Sequence, residues 1–321
     1  MKKEKLKIVF LGTPDFAVEP LRRIHTGGYN IVGVVTMPDK PAGRGHRMLQ
    51  SPVKQYALAA GLHLMQPANL KDPAFVEELR GLGADLFIVI AFRMLPEVVW
   101  SMPPMGTFNL HASLLPRYRG AAPINRAVMN GDTETGVTTF FLKHEIDTGD
   151  IIAQKRIPIG DDDNVGTVHD RLMMLGADLT IDTIDHIIAG DLKPVAQDSL
   201  IGDTCPTPAP KIFKEDCHID WSRTSRDVRN HVRGLSPYPA AWAMLAEDGN
   251  PEGSSVKIFE VAIVQAPDLA PGQVGIDGNR LYVGTGDGAI EVLSLQPAGK
   301  KRMPAADFLR GARIGRNAVM R

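Results

Sequence analysis

Cysteine is scarce in this chain: only Cys205 and Cys217 occur in 321 residues. Two thiols cannot staple a chain of that length, and their scarcity fits a reducing compartment. Cys205, Cys217 and His218 find no fourth partner at suitable spacing, so no metal site is expected. Long apolar runs are missing too. The segment from Met1 to Lys7 is basic, but Gly12 ends the run Ile8-Val9-Phe10-Leu11 at once, too soon for a signal-peptide core. No later stretch reaches the roughly 18 uninterrupted apolar residues of a membrane span. A cytoplasmic protein without a membrane partner is expected. Charge of one sign is not in excess either. The formal net charge is −1, so any site for a polyanion must come from local clustering. Several motifs are lacking as well. Gly12-Thr13-Pro14-Asp15 is not the three-glycine dinucleotide fingerprint, and no phosphate-binding Gly-Lys-Ser/Thr occurs. His144 is followed four residues later by Thr148 instead of a second histidine, which excludes the zinc-protease helix. Nothing resembles an activated serine or cysteine nucleophile. Internal repeats and low-complexity segments are absent.

The residues that are present read as two domains, because single cores rarely grow much beyond about 250–300 residues. Residues 7–11, 31–36 and 85–91 are buried strands rich in aliphatic and β-branched side chains, and 107–111 is a shorter one. Residues 16–25 carry apolar side chains at helical spacing, which Gly27-Gly28 stops. Continuous apolar strands alternating with helices predict a mostly parallel sheet covered on both faces, an α/β Rossmann-like domain. Residues 136–142 and 151–157 predict two more strands, and 165–189 a long helix with a break allowed inside it. Three prolines fall within 205–210 and mark a linker. Beyond it, 223–232 predicts a helix. Four short strands follow at 241–245, 256–264, 280–284 and 290–296, with turn signals between them, as in a smaller OB-like β-barrel. The expected division is 1–205, a linker at 206–211, and 212–321. Residues 211–321 hold 15 Lys/Arg against 13 Asp/Glu, and 300–321 hold seven basic residues against one acidic. By itself such a terminal run reads as a solvated tail.

Chemistry concentrates in Asn109-Leu110-His111 and the turn Ser113-Leu114-Leu115-Pro116. Two residues apart on a strand, Asn109 and His111 share a face. They lie at the strand's carboxyl end, where open α/β sheets bind ligands. An amide donor and an imidazole are what an oxyanion and a proton transfer require. Taken alone, the pair also suits a buried histidine beside a turn former. Asp147, in His144-Glu145-Ile146-Asp147-Thr148-Gly149-Asp150, could orient His111 if the fold joins them, although an aspartate before Thr-Gly is commonly a turn residue. Residues 38–54 form a long Gly- and Pro-rich loop with Lys40, Arg44, Arg47 and Lys54 against Asp39 alone. Such a loop suits phosphate, or simply solvent.

Taken in order, these motifs resemble the methionyl-tRNA formyltransferases of the folate-dependent formyltransferase superfamily. The likeness runs from Phe10-Leu11-Gly12-Thr13-Pro14-Asp15-Phe16-Ala17 through Pro38–Gly45 and Ser51-Pro52-Val53-Lys54. It continues in Asn109–Pro116, Tyr118-Arg119-Gly120-Ala121-Ala122-Pro123-Ile124, Gly131-Asp132, Glu134–Thr138 and Asp147-Thr148-Gly149-Asp150, and ends in Leu293–Lys301. The resemblance implies formyl transfer from 10-formyltetrahydrofolate to methionyl-initiator tRNA, without a metal and as a monomer. Asn109, His111 and Asp147 occupy the catalytic positions, and Ser113, Leu114, Leu115 and Pro116 the folate-contacting stretch. Lys40, Arg44 and Arg47 lie in the loop expected to reach the tRNA, and the second domain is expected to grip it. Transformylases of nucleotide sugars or small ribotides share the Asn-His-Asp set, but they need neither that loop nor a basic second domain. A catalytically dead tRNA- or folate-binding protein would not need all three side chains. The stretch Ala91-Phe92-Arg93-Met94-Leu95-Pro96 departs from the family's usual Ala-Tyr-Gly, so the wall of the pterin pocket is expected to differ.

Overall fold

Aliphatic runs build the centre of the first sheet. The computed structural model describes residues 2–42, 47–201, 206–247, 249–265, 268–312, 314–315 and 317–321. Lys7–Gly12 (β1), Asn30–Val35 (β2), Leu64–Met65 (β3), Leu86–Ile90 (β4), Thr107–His111 (β5), Glu134–Phe141 (β6) and Ile151–Pro158 (β7) lie in the order β7-β6-β5-β4-β1-β2-β3. β1 runs parallel to β2 and β4, β2 to β3, and β4 to β5. β6 returns antiparallel along β5. This is the mostly parallel sheet the sequence predicts. Every residue of β4 is buried, as a strand covered on both faces requires. Val9, Leu11, Phe87 and Val89 pack with Phe75, Val76 and Leu79 of a helix at Pro73–Gly81. From β1 the chain builds outward to β3, then returns to β4 on the other side of β1. That reversal puts a topological switch point beside the carboxyl ends of β1 and β4, where ligands of open sheets bind. β5 is the next strand along, and it ends at His111.

The helix Val165–Ala189 is continuous over 25 residues, without the break the sequence allows. Gly176 does not interrupt it. Its bare α-carbon receives Leu110, and a Cβ there would sit 2.7 Å from Leu110 Cδ2. Thr183 of this helix is buried and meets Thr139 of β6 hydroxyl to hydroxyl at 2.9 Å. Within 38–54 the described residues form regular elements where the sequence predicts a loop. Lys40–Ala42 and Arg47–Leu49 pair as an antiparallel hairpin. Ser51 then caps a helix at Pro52–Ala59, its Oγ accepting from the Lys54 N–H at 3.1 Å. Ser-Pro is a helix start with a mechanism, a side-chain acceptor followed by a residue with no N–H to satisfy.

The chain divides into two compact units: Met1–Gly120, Thr135–Ile157 and His169–Pro208, and then Ala121–Glu134, Pro158–Val168 and Ala209–Arg321. In the second unit, Ala241–Glu247 (β8), Asn250–Val264 (β9), Val274–Asp277 (β10), Arg280–Gly284 (β11), Ala289–Pro297 (β12) and Val319–Met320 (β13) follow the order β10-β11-β12-β9-β8-β13. Their pairings are antiparallel. Register shifts on both sides of Glu260 bend β9. The sheet curls into a half-barrel around Val256, Leu281, Ile290, Val292 and Leu295, as expected of an OB-like domain, and a helix at Ser225–Leu235 buries Val228, Val232 and Leu235 against it. The basic C-terminal stretch is not a solvated tail. It forms a helix at Ala305–Gly311 and supplies β13 to the sheet, because Ala318 and Met320 are apolar enough to be buried there. No helix among the described residues is long and apolar enough to cross a membrane.

Candidate active site

Asn109 and His111 leave the same face of β5, opposite Phe140 and Thr138 of β6. His111 is buried, with Phe140 edge-on 6.5 Å away. Its Nε2 lies 2.8 Å from the Tyr118 carbonyl oxygen. A carbonyl only accepts, so Nε2 carries the hydrogen, and any further proton on the ring goes to Nδ1. That nitrogen faces Asp147 Oδ2 at 3.8 Å. The gap is too long for a direct hydrogen bond, but it fits a shared atom about 2.8 Å from each group. The same Oδ2 accepts the Gly120 N–H at 2.9 Å. Asp147 has φ 55°, a left-handed conformation that costs a non-glycine residue energy. Asn109 is half-buried, and among the described residues its amide has no side-chain partner. His111 and Asp147 therefore face each other across a gap able to hold a ligand oxygen or a water, and Asn109, two residues back on the same face of β5, has an unspent amide donor.

The turn after β5 is pinned from within. Ser113 is buried, and its Oγ donates to the Arg117 carbonyl at 2.6 Å, so that hydroxyl closes the turn. Thr138 Oγ1 donates to the Ser113 carbonyl at 2.7 Å and accepts the Leu115 N–H at 3.2 Å. Gln154 of β7 donates to the Leu115 carbonyl at 2.8 Å. Leu115 is buried, whereas Leu114 and Pro116 are half-buried. These two are the residues of the stretch that keep surface for a ligand.

Around this core, Arg93 donates to the Ala68 carbonyl at 2.8 Å and to that of Pro67. The unusual Phe92-Arg93-Met94 stretch is thereby tied to the loop after β3, and burial draws the Arg93 pKa down. His144 lies 3.3 Å from Glu97 and edge-on to Trp100. In the hairpin, Lys40 is exposed. Arg47 lies on the second strand, and Arg44 lies outside the described residues. Lys54 is committed elsewhere, to Asp39 at 2.7 Å. Cys217 is a buried core residue whose thiol burial pushes up. Cys205 lies outside the described residues, and among the described residues no group of three or more His, Cys, Asp or Glu could hold a metal ion.

Sequence reasoning did not find Tyr118, Thr138, Gln154 or Gln197, all of which shape the site. Tyr118 and Thr138 sit inside motifs already singled out. Gln154 is polar in a strand and Gln197 lies in a short turn, and nothing in their spacing marks either.

A family profile described as formyl transferase matches residues 6–184, and one described as formyl transferase, C-terminal domain, matches 211–313. A protein of Bacteroides thetaiotaomicron named methionyl-tRNA formyltransferase is 60% identical over 98% of each chain. One of the same name from Porphyromonas gingivalis is 49% identical over 97% of each. Among solved structures, the N-formyltransferase of Helicobacter canadensis with folinic acid and dTDP-3-aminofucose superposes with a TM-score of 0.66 at 18% identity, over 93% of this chain and 100% of that one. HypX from Aquifex aeolicus in complex with tetrahydrofolic acid superposes with a TM-score of 0.63 at 18% identity, over 94% of this chain and 46% of that one. At those identities the likeness is one of fold.

Proposed function

The chain belongs to the formyl transferase family, and from that premise we propose that it moves the formyl group of 10-formyltetrahydrofolate onto the amino group of methionine esterified to initiator tRNA. Support for the acceptor comes from relatives of that name, up to 60% identical along nearly the whole chain. The observation that carries the chemistry is the approach of Asp147 to His111 at the carboxyl end of β5, with Asn109 on the same strand face. Residues 1–205 are assigned the chemistry and 212–321 the grip on tRNA, with 206–211 as linker, and the protein acts as a monomer.

The nucleophile is the substrate's own α-amine, so the protein needs none. The neutral amine attacks the formyl carbon on N10 of the folate. A new C–N bond forms, and the carbonyl electron pair moves to the oxygen. Asn109 and a proton on His111 Nδ1 donate to that oxygen; one such donor is worth about 3–4 kcal/mol in the transition state. Asp147 balances the charge on His111 and orders a water that carries the amine's proton to N10. The C–N10 bond then breaks, releasing tetrahydrofolate. Leu114 and Pro116 offer surface to the folate, while Ser113 and Leu115 hold the turn. Lys40, Arg44 and Arg47 of the stretch 38–54 meet tRNA phosphates.

Transfer of labelled formyl to charged initiator tRNA tests this directly. Asn109→Ala, His111→Ala and Asp147→Asn are each expected to cut the rate about 10²-fold with the melting midpoint retained. Near-full activity in any of them removes that residue from the mechanism. Transfer to a nucleotide-linked sugar amine, and not to the tRNA, removes the proposed acceptor.

A further inference from the structure

We propose that Gln197 is a positioning residue that holds Asp147 in its working geometry, an inference that rests on the catalytic reading of Asp147. Gln197 opens the single turn Gln197–Leu200 and is 1% exposed. Its Nε2 donates to the Asp147 carbonyl at 2.9 Å and to the Gly149 carbonyl at 2.8 Å. Its Oε1 accepts from Arg119 Nη2 at 2.8 Å and Nε at 3.1 Å. Both amide hydrogens and the amide oxygen are therefore spent. Arg119 immediately precedes Gly120, whose N–H donates to Asp147 Oδ2. The contacts close a ring: Gln197 to Arg119, along one peptide to Gly120, across to the Asp147 carboxylate, and back through the Asp147 carbonyl to Gln197.

The ring explains how a strained residue is kept in place. Asp147 sits at φ 55°, which an L-residue keeps only when its surroundings over-determine it. Gln197 grips the carbonyls on either side of Thr148, and Gly120 grips the side chain. Gln197 is itself placed by backbone pairing. Val195 exchanges two hydrogen bonds with Ile151, both 2.8 Å, at the start of β7, and Gln197 follows two residues later. Chemistry restricts the position as well. A glutamate of the same shape would turn acceptors toward two carbonyls. A methionine would leave two carbonyls and a guanidinium unpaired in a buried place.

Steady-state formyl transfer is measured for Gln197→Glu, Gln197→Met, Asp147→Asn and the Gln197→Met/Asp147→Asn double variant. Each Gln197 variant is expected to lower kcat about 30- to 100-fold, since displacements of about 1 Å far from the reacting atoms cost that much. KM for both substrates should stay within about 2-fold, because binding groups are untouched. The double variant should fall no further than Asp147→Asn alone, as coupled residues do. A kcat near the wild-type value in the Gln197 variants overturns the proposal. So does a double-variant loss equal to the product of the single losses, which makes Gln197 independent of Asp147. An intact rate in Asp147→Asn instead overturns the catalytic reading, and this inference with it. Where substitution at 197 prevents folding, Arg119→Leu opens the same ring from the other side and must show the same non-additivity with Asp147→Asn.

Discussion

Gly149 shows how little freedom the candidate site allows at single residues. A Cβ there would run into the Phe141 carbonyl, and Phe141 in turn donates its N–H to Asp150 at 3.0 Å. The loop carrying Asp147 is pressed onto the end of β6, and only a hydrogen fits at position 149. Gly149→Ala is expected to destabilise the protein by about 2 kcal/mol or more and to lower kcat by displacing Asp147. Thermal unfolding and formyl transfer check both effects, and an unchanged melting midpoint would contradict the packing. At this scale Asn109 and His111 are legible in the sequence because strand periodicity alone puts them on one face. The contribution of Asp147 is not. It depends on a chain excursion between β6 and β7 and on contacts from Gly120 and Gln197, residues that no local pattern links to it.

Among elements, the hairpin Lys40–Ala42/Arg47–Leu49 depends on what lies beside it. Lys54 and then Gln66 hydrogen-bond Asp39 and hold its carboxyl below the usual carboxylate range. A depressed folded pKa contributes stability above the unfolded value of about 3.9, and that contribution is lost as pH falls through the folded value. The hairpin amides should therefore keep unchanged protection, relative to the exchange rate of an unstructured chain at the same pH, from neutrality to about pH 4 and lose it only in stronger acid. Asp39→Asn should loosen it at neutral pH and raise KM for the tRNA a few-fold with kcat preserved. A variant with wild-type exchange and KM would rule out the anchor. Composition marked this stretch as a loop, because the ladder is short and Gly and Pro weaken any strand signal. Its end, by contrast, is legible in Ser51-Pro52, since capping is a local matter.

For the whole molecule, charge is the informative quantity. The net charge is −1, yet residues 211–321 carry 15 basic against 13 acidic side chains. Phosphate contacts release counterions, so KM for tRNA should rise steeply with salt, about 10-fold or more between roughly 50 and 200 mM. KM for the folate should move little over the same range. Salt-independent tRNA affinity would contradict the assigned roles of Lys40, Arg44 and Arg47. The basic C-terminal stretch carries a second lesson. Charge count alone assigns it to solvent, but Ala318 and Met320 are buried and Val319–Met320 pairs with β8. Two apolar residues are too short a signal to outweigh the arginines around them until a sheet edge is present to receive them.

The sequence by itself determined the longer buried strands, the mostly parallel character of the first sheet, the barrel-like second sheet and the placing of Asn109 and His111 on one strand face, because each follows from periodicity or from a motif within a few residues; the strand order and the shortest strands did not. Tertiary structure decided that the helix Val165–Ala189 runs unbroken past Gly176, which hydrogen of His111 is committed to Tyr118, and that Asp147 faces the remaining nitrogen. Those outcomes depend on groups distant in sequence meeting within hydrogen-bond range, a condition set by the folded sheet and not by local chemistry.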